Sequence, residues 1–582
     1  MNFIKNITMA SAVVGSAFTA NAAPQRAEQP NVVFILLDDV SYFNLPAYGM
    51  ESISLAGNAR SVDREKVETP NIDRLAEQGV LCTQAYAHAL SEATRVALMT
   101  GMNNGRNYLA TKALHESQIT FGDVFQYNGY ATGMYGKWKQ SRGTKENPPA
   151  THISTFGWDD YACFDMVTAD QRYINPDLVV NDKVTDYRKT TEIDPKTGRR
   201  YYGPDIFNYR ALEFIEKNKE KPFFLYYPMA LIHSEIKPTP DSKDGTFSTT
   251  EETKKNNDNR YLPDMIRYMD KMIGRVVDKI ETLGLRENTL IVVMGDNGSQ
   301  AHYFNMTDGT IHQGGKGQTT YAGEQVPLIF SMPGKIPAKT KYEGYVDVTD
   351  LYPTIIKASG NEIPNAEKID GISIWDQITG KSTEPTRDCI YKWYNRNSPM
   401  EEEFYKIRYA YTKDFKYYAP HDIYKQGRFF DLRLDPNEKF GKENPRTLGF
   451  NKWWMSGIPL AQLTAEQQRA YKKLKAVVDK NAYVKVESIK IGTAPATIKV
   501  GKSVVVEHTV SPSNATINGV IWESSDPTIA TVDKFGTIKG LKKGKATITL
   551  YSWDDAHPLA NGVKTGGYKR DGMKDTIAVT VK

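Results

Sequence analysis

From Asn31 to about Met332, short unbroken apolar runs alternate with amphipathic stretches, the alternation expected of an α/β domain. It predicts strands at Val32–Leu37, Val80–Gln84, Tyr130–Tyr135, Phe223–Tyr227, Leu290–Met294 and Pro327–Ser331. Between them, apolar positions recur at helical spacing in Asn71–Gln78, Asp205–Asn218, Leu262–Leu283 and Asp350–Ala358. Val32–Leu37 and Leu290–Met294 contain no polar residue, which suits central parallel strands buried on both faces.

The pattern then changes twice. From Ser359 to Tyr483, turns rich in Gly, Pro and Asp separate a few aromatic strands, such as Tyr409–Tyr411 and Lys416–Tyr418. That stretch ends in a helix over about Ala465–Asn481, opened by Thr464 and Gln467 as a capping box. Beyond Tyr483 the chain becomes a series of short strands rich in Val, Ile and Thr, with no helical periodicity. Thr497–Val500, Ser503–Val510, Val520–Glu523, Ile529–Val532, Thr537–Ile538 and Ala546–Tyr551 read as an antiparallel sandwich of immunoglobulin type, with Trp522 in its core. The expected architecture is α/β: a large mixed, mostly parallel sheet sandwiched by helices at 28–358, a smaller α+β subdomain at 359–483 and an all-β sandwich at 484–582.

A length of 582 residues agrees with several domains. Residues 1–22 read as a signal peptide: Lys5 is the basic start, Met9–Thr19 is small and apolar, and Ala20-Asn21-Ala22 is an A-x-A cleavage site. No later segment is long and apolar enough to span a membrane. A net charge of +5 argues against a nucleic-acid partner bound by bulk charge. Only Cys82, Cys163 and Cys389 occur, too few and too scattered for a disulfide framework or a zinc site.

The first strand ends in Asp38-Asp39, and the strand Leu290–Met294 runs into Gly295-Asp296-Asn297-Gly298. In open parallel sheets the ligand crevice lies beyond the carboxyl ends of the strands, so both pairs should face one site. Either pair alone reads as a turn or a helix cap. Together they offer three carboxylates and an amide oxygen, a donor set for Ca2+ ahead of Mg2+. In Ser91-Glu92-Ala93-Thr94-Arg95, a helix starting at Ser91 would place that hydroxyl at its positive end with Arg95 one turn on. A plain capping serine with a surface arginine is the simpler alternative.

In order along the chain stand "NVVFILLDD", "ETPNIDRLAEQGV", "SEATRVALMTG", "GMYGKWK", "PFFLYYPMALIH", "GDNG", "GGKGQTTYAGEQVPLIF" and "DLYPTIIKASG". This series resembles the sulfatases of the alkaline phosphatase superfamily, over about Asn31–Pro436. The phrases "SDPTIATVD" and "GTIKGLKKGKATIT" resemble a bacterial Ig-like group 2 domain. The first resemblance implies sulfate ester hydrolysis by a formylglycine hydrate, made here from Ser91 by a serine-acting maturase. It implies metal ligation by Asp38, Asp39, Asp296, Asn297 and modified Ser91. Arg95 and Lys137 would hold the nucleophile, and His233 and Lys316 would contact the sulfate and the leaving oxygen. The family's G-K-W-H reads Gly136-Lys137-Trp138-Lys139 in this chain, so Lys139 stands where a histidine assists sulfate release.

Sulfated carbohydrate is the expected partner, with Arg142, His302, Tyr303, His312 and Trp393 as candidates to bind sugar or neighbouring sulfates. The expected location is the periplasm or outer surface of a Gram-negative bacterium, with the Ig-like domain as a spacer or a glycan- or surface-contacting module. Two alternatives stay open: a phosphate mono- or diesterase using unmodified Ser91, and a non-catalytic binder of sulfated glycans.

Overall fold

The computed structural model describes residues 29–582 except 108–113, 115–116, 141–151, 165, 167–170, 189, 249–256, 364–368, 396–405, 422–423, 443–454 and 554–571. The expected signal peptide and Arg142 therefore lie outside the described residues.

A ten-stranded sheet forms the centre of the molecule. Its strands are β1 (Asn31–Leu37), β2 (Val80–Cys82), β3 (Ala131–Lys137), β4 (Asp160–Phe164), β5 (Asp177–Val180), β6 (Lys183–Asp186), β7 (Phe223–Pro228), β8 (Thr289–Gly295), β9 (Leu328–Ser331) and β10 (Thr340–Tyr342). They lie side by side as β10-β2-β9-β8-β1-β7-β3-β4-β5-β6. The five central strands from β8 to β4 are parallel, and β9 and β5 run against them on either flank. Leu36 of β1 pairs with Pro228 and Leu37 with Gly295, so the carboxyl ends of β1, β7 and β8 finish level.

Both faces of β1 are buried, as its unbroken apolar run requires. Val33, Ile35 and Leu37 enter one core, against the helices α1 (Pro70–Glu77), α4 (Gly203–Lys217) and α5 (Leu262–Thr282). Val32, Phe34 and Leu36 enter the other, against α2 (Ser91–Thr100), α3 (Phe121–Tyr127) and α6 (Leu351–Ala358). The α2 sequence places Val96, Ala97 and Met99 in that second core, so the helix is pinned along its length with its first turn at the sheet's carboxyl edge.

A four-stranded antiparallel sheet follows, made of Ile390–Asn395, Lys406–Tyr411, Phe415–Tyr418 and Arg428–Asp431. One face packs under α7 (Ala465–Lys480), whose Thr464–Gln467 capping box is present. The other face sets Tyr394, Tyr409, Tyr411 and Tyr418 against Tyr86 and Ala89, the segment leading into α2.

The C-terminal strands form a sandwich around Trp522, Ile538, Ile548 and Leu550. One expectation fails there. Ser503–Val510 is not one strand: Ser503–Val505 pairs with Thr537–Gly540, while His508–Ser511 pairs with Ser488–Ile491 in another sheet. The chain changes sheets at Val506, whose amide donates to the Gly536 carbonyl. The apolar run Val504–Val506 ends there, at the polar residues Glu507, His508 and Thr509. The sandwich is docked on the α/β unit. Lys534 inserts its ammonium between Asp123 (3.0 Å), the Gln118 carbonyl (3.0 Å) and the Thr155 carbonyl (2.8 Å), and Phe535 lies against Tyr127.

Candidate active site

Each acidic pair sits where its strand runs out of partners. Asp38 and Asp39 follow β1, and Asp39 takes a left-handed backbone with φ of 63°, which turns its carboxylate across the sheet edge. Asp296 and Asn297 follow β8 beside them, and the Asp39 amide donates to Asp296 Oδ1 at 3.0 Å. Lys137 closes β3 after Gly136, whose φ is 134°. A Cβ at Gly136 would stand 1.9 Å from the Pro228 carbonyl oxygen, so only glycine lets β3 and β7 converge there.

Ser91 opens α2 and is 3% exposed. Arg95, one turn on and fully buried, donates from Nε to Ser91 Oγ at 3.0 Å and from Nη2 to Asp296 Oδ2 at 2.8 Å. Its Nη1 reaches the Lys137 carbonyl at 3.4 Å. Lys137 places its ammonium 2.8 Å from both Asp38 oxygens. Lys316 caps Asp39 at 2.6 Å, and His233 Nε2 stands 3.8 Å from the same carboxylate. The structure thus brings Asp38, Asp39, Ser91, Arg95, Lys137, His233, Asp296, Asn297 and Lys316 to one place from six separate stretches of chain. Lys139 joins the rim with Nζ 3.8 Å from Glu92 Oε1, the residue after Ser91.

Two members of the cluster carry no motif in the sequence. Arg172, almost wholly buried, donates to Asp38 Oδ2 at 3.2 Å and lies over the Phe164 ring. Gln300 donates to Asp39 Oδ2 at 2.7 Å. Gln300 follows the Asp296-Asn297 turn closely enough to be suspected. Arg172 is reached only through the packing of the segment beyond β4.

The charges explain the titration. Burial pushes the Asp38 carboxyl up, but Lys137, Arg95 and Arg172 outweigh it and hold it well below the usual carboxylate range. Burial and the neighbouring Asp38 charge push Asp296 up, against the pull of Arg95. Burial pushes Lys137 down to about 8, a fall that Asp38 only partly offsets. Burial would also lower Lys316, yet Asp39 and Asp38 raise it above the ordinary lysine value. His233 is driven well below its ordinary value by burial, with Arg172 and Lys316 adding to the effect. The imidazole is therefore neutral near pH 7, and its Nδ1 lies against the Ser234 carbonyl, which places the ring hydrogen on Nδ1.

The donor set fits a hard divalent cation. Asn297 donates from Nδ2 to Asp39 Oδ1 at 2.8 Å, and its own Oδ1 is buried with no hydrogen-bond donor among the described residues. An amide oxygen so placed beside carboxylates is an orphan that a cation would satisfy. Ligand atoms of Asp38, Asp39 and His233 all lie within 4.8 Å of one another. Asp296 and Asn297, beside them, could share in holding such an ion.

The expected sugar contacts fare unevenly. Tyr303 is fully buried and donates its hydroxyl to the Ile232 carbonyl, so it supports the His233 segment and has no surface to offer a sugar. Trp393 is also buried, flat against Gly105, and lines a separate cavity. His302 is partly covered with its edge toward Tyr303, and His312 stacks on Phe43 at 4.0 Å.

Residues 30–361, more than half of the chain, match the sulfatase family. The chain belongs to the sulfatase family. In this sulfatase, residues 321–444 also match the C-terminal region of N-sulphoglucosamine sulphohydrolase, and 485–557 match the bacterial Ig-like domain (group 2). The sulfatase is 25% identical over 501 residues to N-acetylgalactosamine-6-O-sulfatase of Bacteroides thetaiotaomicron, covering 73% of this chain and 92% of that one. It is 26% identical over 398 residues to arylsulfatase G of Rattus norvegicus, covering 61% and 70%. A solved enzyme in complex with its substrate D-glucosamine-2-N,6-O-disulfate superposes with a TM-score of 0.54 at 19% identity, over 78% of this chain and 97% of that one. That likeness shows the shared fold. The chain is a sulfuric ester hydrolase.

Proposed function

We propose that Ser91, matured to formylglycine, is the nucleophile with which this sulfatase hydrolyses sulfate esters of glycans outside the cytoplasm, in a site that holds Ca2+. The observation that carries the reading is the placement of Ser91 Oγ. It sits at the first turn of a ten-residue helix, 3.0 Å from Arg95 Nε, and Arg95 is tied in turn to Asp296. The positive end of the helix and a guanidinium at one oxygen stabilise negative charge there, as a nucleophile at neutral pH needs. Formylglycine supplies a geminal diol, one hydroxyl to attack sulfur and one to release sulfate afterwards. A divalent cation on Asp38, Asp39, Asp296 and Asn297 would supply positive charge for the sulfate oxygens.

The remaining work falls to side chains of this chain. Arg95 orients the nucleophilic oxygen. Lys137, with Arg172 behind it, balances the Asp38 carboxylate and keeps that carboxylate ionised. Lys316 stays protonated on Asp39 and presents N–H groups to the sulfate and to the departing alcohol oxygen. His233, with its hydrogen on Nδ1, leaves Nε2 as the proton-exchanging atom facing the site. Lys139, beside Glu92 on the turn of the nucleophile, is placed to move the proton whose loss expels sulfate. His302 and His312 are the remaining described candidates to contact the sugar.

Support for a glycan substrate comes from the relatives named for N-acetylgalactosamine 6-sulfate, and support for export from the signal-like residues 1–22. Among the described residues no helix is long and apolar enough to cross a membrane. The test is turnover by protein co-produced with a serine-type maturase, offered p-nitrophenyl sulfate, 6-sulfated N-acetylgalactosamine and p-nitrophenyl phosphate. Sulfate release that falls on chelation and returns with Ca2+ is expected. Faster cleavage of the phosphate ester, by protein whose Ser91 is unmodified, would contradict it.

A further inference from the structure

A cavity of about 810 Å3 opens away from the acidic cluster, where three parts of the chain meet. Its floor is the outer edge of the four-stranded sheet. Strand alternation sends Lys392 and Tyr394 inward, while Tyr391 and Trp393 take the opposite face. Arg408 pairs directly with Trp393 on the next strand and shares that face. Helix α7 covers the same face at Ala410, Phe415 and Tyr417, but the helix ends at Lys480 and leaves the Trp393–Arg408 end open. One wall is Asn103–Arg106 with Asp370, and the other is Asn481–Tyr483 with the loop Ser513–Thr516 of the Ig-like sandwich.

The lining has a definite chemistry. Among the described residues that line the cavity, the one carboxylate, Asp370, is held by Arg106 at 2.6 Å and by the Asn103 amide at 2.8 Å. Against it stand Arg408, Lys425 and Lys480, so cations outnumber carboxylates among the described lining residues. Between the charges lie the rings of Tyr391 and Tyr483 and the amides and hydroxyls of Asn103, Asn514 and Thr516. Aromatic faces for C–H surfaces, neutral groups for hydroxyls and excess cations for anionic substituents together suit a sulfated sugar. The cavity begins just past the far end of α2, whose ten residues span about 15 Å, so it is separate from Ser91 at the near end.

We infer that this cavity is an accessory binding site for a sulfated oligosaccharide, one wall of which is supplied by the Ig-like module. The inference rests on the sulfated-glycan reading above, but its test does not need turnover. Full-length Ser91→Ala protein is titrated calorimetrically with sulfated hexasaccharides of chondroitin, heparan and carrageenan type, with their desulfated forms as controls. At least one sulfated hexasaccharide fills two sites per chain. In Ser91→Ala combined with Arg408→Ala and Lys425→Ala, one of the two is lost or weakened at least about tenfold. The Arg408→Ala, Lys425→Ala protein with Ser91 intact and matured keeps its kcat/KM on p-nitrophenyl sulfate. A single site indifferent to Arg408 and Lys425, equal binding of the desulfated sugar, or no binding of any of the three would overturn the inference. Failure of the catalytic reading would show instead as no sulfate release by matured wild-type protein, whatever the titration gives.

Discussion

Lys139 has a positive φ of 61° and reaches Glu92 on the first turn of the nucleophile helix, so backbone strain is spent on aiming a lysine at the site's rim. If Lys139 moves the proton in sulfate release, Lys139→Ala lowers kcat on an aryl sulfate by about a hundredfold and leaves KM within about twofold. An unchanged kcat would remove it from the mechanism. At this scale the sequence was informative where chemistry is attached to strand ends. Asp38, Asp39, Asp296 and Asn297 could be read because unbroken apolar runs end on them. Arg172 could not, because nothing local distinguishes an arginine that will be buried on Asp38 from one left in solvent. Tyr303 failed for the converse reason: it follows the site's Asp296-Asn297 turn, yet its hydroxyl is consumed by the Ile232 carbonyl.

The loop that carries Lys316 is held from outside the α/β unit. Lys416, buried among the rings of Tyr409, Tyr411 and Tyr418, donates to the Thr319 carbonyl, and the Tyr418 hydroxyl bonds Thr319 Oγ1 at 2.8 Å. Glu324 lies beside this cage, hydrogen-bonded by Tyr409, and burial pushes its carboxyl up to about 7 despite Lys416 nearby. A carboxyl raised when folded gives stability that is full below its unfolded value near 4.5 and is lost as pH rises through about 7. The loss amounts to about 3 kcal/mol at most. Glu324→Gln should therefore raise Tm relative to wild type more at pH 8 than at pH 5. A difference that is the same at both pH values would contradict this. Such contacts between the second sheet and the catalytic loops are invisible to periodicity, which finds strands but not what their faces will meet. The same limit hid the sheet change at Val506 and the helix Phe121–Tyr127, too short to show a repeat.

For the whole molecule, the order of α/β unit, second sheet and sandwich followed from changes in texture along the chain, but the docking between them did not. Lys534 reads as one lysine among many in a strand-rich segment, yet its ammonium is satisfied by Asp123 and two carbonyls of the α/β unit. Removing it takes the cation from a buried carboxylate and a donor from the two carbonyls. Lys534→Met is predicted to free the sandwich: the radius of gyration by small-angle scattering rises, and proteolysis within Ala482–Glu487 quickens. Unchanged scattering and cleavage would mean that the interface holds without the lysine.

The central claim is that Ser91 becomes the catalytic aldehyde, and the mass of the tryptic peptide Leu75–Arg95 tests it most directly. Protein made with a serine-type maturase should yield this peptide lighter by two hydrogens at Ser91. Only the unmodified mass, from cells in which the maturase demonstrably converts another target, would contradict the account.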